Sequence, residues 1–253
     1  MPDRRPTMRD VAAEAGVSLK SVSRVVNAEP GVSGALAARV TEAIARLGYR
    51  PDPTATTLRR ADHRSRTIAA VLEDLANPFS ATVHSAVVDA LRGHGVLVLS
   101  ASTEEDPARE REAVLALLDR RVDGIVLMPT TTDHAWLSPE EIGDQHLVMV
   151  DRPAPGFPAD LVVSGNHDGA RAATEHLLRG GHRRIAFLGG PAAMHTAAER
   201  LAGYRAALAA AGAPSLERTG LRDAEAARVA VTELLATAPA SAPTAVFAAQ
   251  NRL

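Results

Sequence analysis

The apolar positions of the first fifty residues recur at intervals of three and four, which is the spacing of amphipathic helices. Three helices are predicted, and the first two are separated at Gly16, where a left-handed turn suits a residue without a Cβ atom. Thr7 and Ser18 each precede one of these two helices, as N-cap residues do. Two short helices joined by a glycine-containing turn form the helix-turn-helix pattern. The apolar faces comprise Val11, Ala12 and Ala15; Val22, Val25 and Val26; and Leu36, Val40, Ile44 and Leu47.

From residue 67 onward, short apolar runs alternate with amphipathic stretches. The runs have the length of buried strands, and the stretches have the length of helices. Such alternation predicts an α/β body of parallel sheets with helices on both faces. The predicted strands are 67–72, 96–100, 124–128, 147–150, 161–164, 184–188, a short stretch near Leu221, and 245–248, and the predicted helices are 78–92, 107–120, 168–179, 196–211 and 224–236.

Residues 51–66 interrupt both patterns and are predicted to be a hinge. Pro51-Asp52-Pro53 ends the third helix, since proline removes an amide donor and restricts the residue before it. Three threonines follow, and threonine is a poor helix former. A helix this short is also unstable alone, so these residues by themselves predict a flexible linker. The predicted organisation is a helix-turn-helix domain at 1–50, a hinge at 51–66 and an α/β body at 67–253.

The second predicted helix presents its remaining residues on the face opposite its apolar one. Side chains of these types reach phosphates and base edges in the major groove of DNA. Periodicity alone favours a solvated face on a small helical domain. The residues on this face are Leu19, Lys20, Ser21, Ser23, Arg24 and Asn27.

Charge is distributed unevenly along the 253 residues. Residues 1–66 hold 12 Lys and Arg against 7 Asp and Glu, a net of +5, whereas the complete sequence holds 28 against 30. The remainder is therefore net −7. A basic head on an acidic body indicates that the head alone meets a polyanion such as double-stranded DNA.

Composition limits the kinds of site that the chain offers. There are no cysteines, which excludes disulfides and thiolate metal sites and is compatible with a reducing cytosol. The N-terminus lacks a signal-peptide pattern and no apolar run is long enough to span a membrane, so we expect a cytoplasmic protein without a membrane partner. The sequence contains no metalloprotease, phosphate-loop or nucleophile-elbow motif. We therefore expect neither an enzyme nor a bound cofactor or metal.

Two local features allow more than one chemical interpretation. His176 and His182 flank a predicted helix end, where a capping role is expected over metal binding. Gly189-Gly190-Pro191 lies between a predicted strand and a predicted helix, where a tight turn is expected over phosphate binding.

Residue-level phrases along the chain resemble those of the lactose/galactose-repressor family of bacterial transcriptional regulators. In the N-terminal part they stand in the family's order and spacing, and so long a composite pattern is very specific. Shorter phrases of the same family follow through the body. The phrases are Asp10-Val11-Ala12, Ala15-Gly16-Val17-Ser18, Val22-Ser23-Arg24-Val25-Val26-Asn27 and Leu47-Gly48-Tyr49-Arg50-Pro51, then Asn77-Pro78-Phe79, Arg121-Val122-Asp123-Gly124-Ile125, Val150-Asp151-Arg152-Pro153, Gly181-His182-Arg183-Arg184-Ile185-Ala186 and Glu199-Arg200-Leu201-Ala202-Gly203-Tyr204.

The resemblance implies a transcriptional regulator, in particular a repressor, whose head binds a pseudopalindromic operator as a homodimer. It also implies that the hinge becomes helical only on DNA. Leu58 would then enter the minor groove, and Ala55 would support it. The implied DNA-binding residues are Thr7, Ser18, Leu19, Lys20, Ser21, Ser23, Arg24, Asn27, Tyr49, Ala55 and Leu58.

The body resembles a periplasmic binding protein, with two doubly wound subdomains and a sugar or sugar-like effector in the cleft between them. Ligands of such sheets lie beyond the carboxyl ends of the strands, where several polar residues of this chain are predicted. Arg200 matches the family arginine that binds sugar hydroxyls or a carboxylate; the other interpretation is a surface arginine that pairs with Glu199 or Asp151. The predicted effector-binding residues are Asn77, Phe79, Asp151, Arg152, Thr196, Arg200 and Gln250.

The resemblance also bears on the end of the chain and on rival functions. The family body normally extends further than position 253, so we expect a chain that is truncated at its C-terminus with an incomplete second subdomain; the alternative is a natural short form. One rival function is a solute-binding protein without a transcriptional role, which the basic head and the missing signal sequence disfavour. The other is a sugar-converting enzyme, which the lack of a catalytic motif disfavours.

Overall fold

The computed structural model describes residues 4–27, 29–50, 64–130, 133–154, 156–238 and 240–253. The chain divides into two compact units, Met1–Ser65 and Arg66–Leu253, which are named the head and the body below. The predicted hinge falls mainly on residues outside the described ranges.

The head contains three helices, and each begins at a residue whose hydroxyl group caps it. The hydroxyl oxygens of Thr7, Ser18 and Ser33 accept hydrogen bonds from backbone amides three residues further on. Gly16 ends the first helix with a φ of 61°, which confirms the predicted left-handed turn. The helices are α1 (Met8–Ala15), α2 (Leu19–Val26) and α3 (Gly34–Leu47).

The apolar faces of these helices meet in one core. Val11, Val22 and Val40 are completely buried there. Arg39 of α3 donates from Nη2 to the carbonyl oxygen of Ala15 at 2.6 Å, which ties α3 to the end of α1. Because the core consists mostly of small side chains, it buries little apolar area, and we expect a head of low stability.

The first part of the body is a five-stranded sheet in the order β2-β1-β3-β4-β5, with every neighbouring pair parallel. Helices connect most of its strands, as the strand-helix alternation predicts. The elements are β1 (Thr67–Leu72), α4 (Pro78–Arg92), β2 (Leu97–Ser102), α5 (Pro107–Asp119), β3 (Gly124–Leu127), α6 (Pro139–Ile142), β4 (His146–Val150) and β5 (Asp160–Val162).

The second part of the body is a three-stranded parallel sheet in the order β7-β6-β8. The two sheets confirm the predicted α/β body, and the second subdomain is partial. The elements are α7 (Asn166–Arg179), β6 (Ile185–Leu188), α8 (His195–Ala210), β7 (Ser215–Arg218), α9 (Ala224–Leu235) and β8 (Ala245–Ala248).

The strands at the middle of each sheet are buried on both faces. Along β1, Ala69 and Val71 pack against one apolar cluster, and Ala70 and Leu72 pack against another on the opposite face. The strand β6 divides in the same way between two clusters of the second sheet. Continuous apolar runs are typical of parallel strands covered by helices on both sides, which is why the sequence predicted these strands well.

Two elements differ from the sequence-based expectation. The prediction of a short strand near Leu221 is wrong in position, because the observed strand is β7. Leu221 lies beyond the end of β7 and packs against α9. β7 is an edge strand of sequence Ser-Leu-Glu-Arg, whose polar residues give no apolar run to detect. The helix α6 was not predicted, since its four residues are too few to show periodicity, although Ser138 and Glu141 form a capping box there.

The two ambiguous local features have physical explanations in the structure. A Cβ atom on Gly189 would collide with the ring of Phe187, and one on Gly190 would collide with the side-chain amide of Gln250. Neither glycine has a positive φ, so close approach, rather than the expected tight turn, requires them. His182 caps α7 through its backbone amide, which donates to Leu177, whereas its ring lies 3.0 Å from the hydroxyl oxygen of Thr244.

Candidate functional site

The start of α2 presents two unburied side chains on the head. Leu19 is 44% exposed and Lys20 is also exposed, while Val22 beneath them is completely buried. The hydroxyl oxygen of Ser18 accepts from the amide of Ser21 at 3.1 Å, and the two hydroxyl oxygens lie 2.9 Å apart. The helix is therefore anchored by its apolar face and its cap, and positions 19 and 20 point outward at its first turn.

Further along α2, the predicted contact residues are occupied by local hydrogen bonds. Arg24 donates from Nη2 to the carbonyl oxygen of Pro30 at 3.0 Å, and its Nε lies 3.4 Å from a carboxylate oxygen of Glu29. Asn27 donates to the hydroxyl oxygen of Ser23 at 3.2 Å. Arg24 thus braces the loop after α2 in this state, which its sequence position did not reveal.

The remaining predicted DNA-binding residues lie in three different settings. Thr7 forms a capping box with Asp10, and its hydroxyl is used within α1. Tyr49 is 8% exposed and packs in the core of the head. Ala55 and Leu58 lie outside the described residues.

A cleft of about 400 Å³ opens in the body beyond the carboxyl ends of strands from both sheets. Open parallel sheets bind their ligands in this position, and the volume falls in the range of small-molecule sites. The seven residues predicted for an effector site all line it, although they come from four separate segments of the chain. They are Asn77, Phe79, Asp151, Arg152, Thr196, Arg200 and Gln250.

The first segment is fixed by the start of α4. Asn77 is the N-cap of this helix, and its Oδ1 accepts from the amide of Phe79 at 3.0 Å. The same oxygen accepts from Nδ2 of Asn251 at 2.8 Å. Asn77 is buried, whereas Phe79 is 39% exposed, so the segment offers a fixed amide and an accessible ring to the cleft.

Arg152, which directly follows Asp151 after the end of β4, is the most buried charged side chain that lines the cleft. Three carboxylates surround it. It donates from Nη1 to Glu105 at 2.8 Å and from Nε to Asp151 at 3.1 Å, and its Nη2 lies 3.8 Å from an oxygen of Glu73. Burial opposes its charge, but the carboxylates of Glu105 and Asp151 outweigh burial and raise the pKa of Arg152 above its usual value. One guanidinium therefore neutralises parts of three acidic side chains.

Among the acidic residues that line the cleft, Glu73 has a pKa that is raised above its ordinary value. Burial is the main reason that its pKa is raised, and the neighbouring charge of Glu105 adds to that effect. Arg252 and Arg152 act in the opposite direction without cancelling it. Glu73 therefore lies beside both arginines and a second carboxylate, that of Glu105, in a partly buried wall of the cleft.

Three residues on the same side of the cleft have left-handed backbones. Glu104, Glu105 and Asp151 have φ values of 54°, 58° and 75°. A side chain with a Cβ atom adopts this conformation at a cost of about 1–3 kcal/mol, and such residues concentrate at binding sites. Two of the three are the hydrogen-bond partners of Arg152, so the guanidinium helps to hold the strained loops in place.

Arg200 forms the opposite wall, on α8. Its Nε donates to Oδ1 of Asn166 at 2.7 Å, and its Nη1 donates to the carbonyl oxygen of Ala249 at 2.6 Å. It pairs directly with neither of the carboxylates considered from the sequence. Burial is the main cause that lowers the pKa of Arg200. The negative charge of Asp151 acts to raise this pKa, whereas the positive charge of Arg152 lowers it further. Since both hydrogen-bond acceptors are neutral, its charge is only partly compensated within the chain.

The position of Arg200 depends on close packing between α7 and α8. A Cβ atom on Gly203 would overlap the backbone of His167 and Arg171 on α7, so only glycine fits where the helices meet. This contact brings Asn166, at the start of α7, within reach of Arg200. Thr196, one turn before Arg200, is 4% exposed and lines the cleft at the first turn of α8.

Sequence reasoning missed most of the acidic and basic side chains that share the cleft. Glu73-Asp74 and Glu104-Glu105 both follow predicted strands closely, and that spacing was the available signal. Asn251 and Arg252 follow the predicted strand 245–248 in the same way, but their partners after β1 could not be read from that spacing. The additional lining residues are Glu73, Asp74, Glu104, Glu105, Pro191, Met194, Leu221, Arg222, Asn251 and Arg252.

Two further kinds of feature are absent from the described parts of the chain. Within them, no helix is both long enough and apolar enough to cross a membrane. Nor do these residues include a group of three or more His, Cys, Asp or Glu side chains arranged to hold a metal ion.

Comparison with known families assigns both units. Residues 7–52 match the model of bacterial regulatory proteins of the lacI family, and residues 65–252 match that of periplasmic binding proteins and the sugar-binding domain of the LacI family. Among curated relatives, the HTH-type transcriptional regulator PtxS of Pseudomonas plecoglossicida is 34% identical over 86% of this chain and 62% of its own length. The HTH-type transcriptional regulator GalR of Escherichia coli K12 is 33% identical over 90% of this chain and 67% of its own length.

A solved structure shows the same fold. The lac repressor dimer bound to operator and the anti-inducer ONPF is 28% identical, with a TM-score of 0.83 over 98% of this chain and 75% of that chain. The chain therefore matches between 62% and 75% of the length of these proteins. Both curated relatives are named as transcriptional regulators, and neither is named as an enzyme. Its two matched units together make this chain a member of the LacI family of bacterial regulatory proteins.

Proposed function

We propose that the chain acts as a sequence-specific DNA-binding transcriptional repressor that a small-molecule effector controls. The observation that carries the proposal is the meeting of seven separately predicted residues in one cleft of the body, in a chain whose head also presents a helix-turn-helix. Its relatives bear the names of transcriptional regulators, and one of them was solved as a dimer bound to operator.

The start of α2 is the proposed reader of base edges. Leu19 and Lys20 are exposed there, and the Lys20 ammonium suits the acceptor atoms of a guanine in the major groove. Ser18, Ser23 and Asn27 suit phosphate contacts that fix the position of the helix. Arg24 would join them after giving up its contacts with the loop beyond α2, and such a side-chain exchange is inexpensive on an exposed surface.

The hinge at 51–66 is the proposed link between DNA and effector. Eight residues around its threonines cannot offset helix nucleation unaided, so we propose that this segment folds on operator DNA. Leu58 would then insert into the minor groove with Ala55 beside it. Amide exchange of the hinge with and without operator tests this, and equal protection in the two states would contradict coupled folding.

The proposed homodimer would use the first sheet of the body. Its edge strand β2 exposes Leu97 by 70% and Leu99 by 42%, and α4 packs beside this strand. A pseudopalindromic operator requires a two-fold partner. Sedimentation of the chain and of Leu97→Asp tests the interface: the substitution should shift the chain towards the monomer, and an unchanged dimer would place the interface elsewhere.

A sugar or sugar-like metabolite is the proposed effector. The cleft lies on the matched sugar-binding domain, and its lining includes both hydrogen-bond donors, such as Arg200, and acceptors, such as Asp151. Calorimetry with a panel of sugars and sugar acids tests the proposal. Arg200→Ala should abolish binding of any sugar that binds the parent, whereas Arg205→Ala, further along the same helix and paired with Glu217, should not.

A salt titration separates the repressor from a solute-binding protein without a transcriptional role. Duplexes selected from a random pool should bind the chain with a steep linear decrease of log K against log salt, because lysines and arginines displace counterions from phosphates. A chain that binds sugars but shows no such slope would be a solute-binding protein. The regulator is proposed to work in the cytoplasm, with no membrane partner.

A further inference from the structure

Residues that follow β8 reach across the cleft to the segment that follows β1. Asn251 donates from Nδ2 to Oδ1 of Asn77 at 2.8 Å. Arg252 forms a close ion pair with Asp74, and its Nη1 lies 3.4 Å from a carboxylate oxygen of Glu73. Because β1 and β8 belong to different sheets, these contacts join the two subdomains directly.

Hydrogen bonds within the first subdomain hold the acceptors of these contacts in place, independently of the second sheet. Asp74 accepts from the amide of Ala76 at 2.8 Å through Oδ1, while its other carboxylate oxygen faces Arg252. Asn77 is fixed as the N-cap of α4 by its hydrogen bond with Phe79. Rigid acceptors on one subdomain determine where the side chains of the other must lie, so the contacts define a relative position of the two.

The carboxylates on the wall of the cleft that follows β1 and β2 explain why a second cation is needed there. Arg152 already shares its guanidinium among three carboxylates, one of which is Glu73. Asp74 contacts no part of Arg152 in these pairs, and Arg252 supplies the second positive charge to this wall. Movement of the second sheet away from the first would remove that charge from Glu73 and Asp74 together.

We propose that Asn251 and Arg252 form an inter-subdomain clasp on Asn77, Asp74 and Glu73 that sets the closure of the effector cleft. Four of these five residues are side chains that sequence reasoning did not assign to the site. The regulatory meaning of the clasp rests on the proposed function of the cleft as an effector site. The clasp itself requires neither DNA nor effector.

The clasp is suited to switching because its strength is modest. Arg252 is 36% exposed and Asp74 is 30% exposed, so water replaces the lost contacts when the cleft opens. Solvent-accessible ion pairs also weaken as salt increases. A ligand whose hydroxyl groups contact Asn77 or Glu73 would therefore change the balance between open and closed arrangements by a few-fold.

The distance between the subdomains tests the clasp directly. The chain has no cysteine, so Glu112→Cys on α5 and Ala206→Cys on α8 provide two unique, exposed positions for spin labels. Labelled chain is mixed with an excess of unlabelled chain, so that electron-spin distance measurements record pairs within one chain. The parent should give one narrow distance distribution at about 0.05 M salt and a broader one at about 1 M salt.

Substitutions at Arg252 should move that distribution. Arg252→Glu, which replaces attraction by repulsion, should increase the ratio of open to closed distances by about tenfold, and Arg252→Gln by about two- to fivefold. Arg228→Ala, which removes an exposed ion pair with Glu225 on α9, is the matched control and should leave the distribution unchanged. Circular dichroism of each variant verifies folding, and Asp74→Asn gives the same test from the other side of the pair.

An unchanged distribution in folded Arg252→Glu and Asp74→Asn would overturn the clasp. That result would leave the repressor proposal intact, since the salt dependence of DNA binding is measured independently. Conversely, a chain without a salt-dependent DNA affinity could still show the clasp, and the two failures are therefore distinguishable.

Discussion

The exposed start of α2 and the cleft of the body are both candidate binding surfaces, but they are built in opposite ways. The helix surface comes from consecutive residues, and its leading side chains, Leu19 and Lys20, are exposed. The cleft is assembled from separate segments, and Asp151 and Arg152 are buried there at 6% and 2% exposure. A surface of the first kind is set by one helix, whereas one of the second kind depends on the whole body.

This difference separates binding from stability. An exposed side chain on α2 contributes little to the folded head, so its replacement should affect DNA binding alone. A buried ion pair in the body leaves an uncompensated charge when one partner is removed, so its replacement should affect folding first. The two surfaces should therefore respond to mutation in different measurements, and four predictions test that contrast.

The largest effect is expected for Arg152→Ala. The substitution leaves the carboxylates of Glu105, Asp151 and Glu73 without their shared cation in a buried site. We expect the free energy of unfolding of the body to fall by about 3–5 kcal/mol. Urea unfolding followed by the fluorescence of the single tryptophan, Trp136, measures the body without contribution from the head.

Arg205→Ala is the control for Arg152→Ala, because Arg205 is exposed and pairs with Glu217. It should change the body's stability by less than about 1 kcal/mol. If Arg152→Ala and Arg205→Ala had equal small effects, the carboxylates around Arg152 would be relieved by water and the contrast between the two surfaces would be lost.

The second prediction concerns a buried polar pair in the body away from the cleft. Glu110 accepts from the amide of Thr130 at 2.5 Å, and its other oxygen lies 2.5 Å from Nε2 of His134, with both side chains buried. Glu110→Ala removes both of these hydrogen bonds from a buried site and should destabilise the body by about 3 kcal/mol. Glu110→Gln keeps an acceptor oxygen and should cost less. Equal costs in Trp136 unfolding would mean that neither the packing nor the acceptor oxygen that glutamine retains contributes, which would contradict this prediction.

The same contrast explains what the sequence could predict. β1 and β6 are continuous apolar runs, and α2 is an amphipathic helix with a capping serine, so all three follow from local pattern. The rule that ligands bind at the carboxyl ends of parallel strands placed Asn77 and Asp151 at the cleft. That rule needs only the identity and order of the strands.

What could not be predicted depends on contacts between distant segments. The edge strand β7 has no apolar run, and its pairing with β6 is visible only in the folded sheet. Arg252 meets Asp74 across 178 positions of sequence, a pairing that no local pattern encodes. Tyr49 belongs to a motif of the family, yet the sequence does not tell that its ring is buried in the core of the head.

The third prediction tests the exposed surface. Lys20→Ala should weaken binding to the preferred duplex by about 1–3 kcal/mol and relax the base preference at one position of each half-site. Ser23→Ala, as the comparison, should weaken all duplexes similarly because a phosphate contact carries no sequence information. Both variants should unfold like the parent. Selection from random duplexes and competition binding measure the effects, and a uniform loss for Lys20→Ala would remove this residue from base recognition.

The smallest effect is expected for the exposed pair of Arg205 and Glu217 on the second subdomain. Hydrogen bonds from the Arg205 side chain are the main cause that lowers the pKa of Glu217 below its ordinary value of 4.5, and burial opposes them. A carboxylate with a lowered pKa in the folded state stabilises that state above its unfolded pKa, and the stabilisation is lost as the pH falls through the folded pKa. Glu217→Gln should therefore cost less than about 1 kcal/mol at neutral pH, and the difference from the parent should vanish well below pH 4.5. Urea unfolding followed by circular dichroism at both pH values measures this, and a difference that persisted in acid would assign the effect of the substitution to packing around Ser215 instead of to charge.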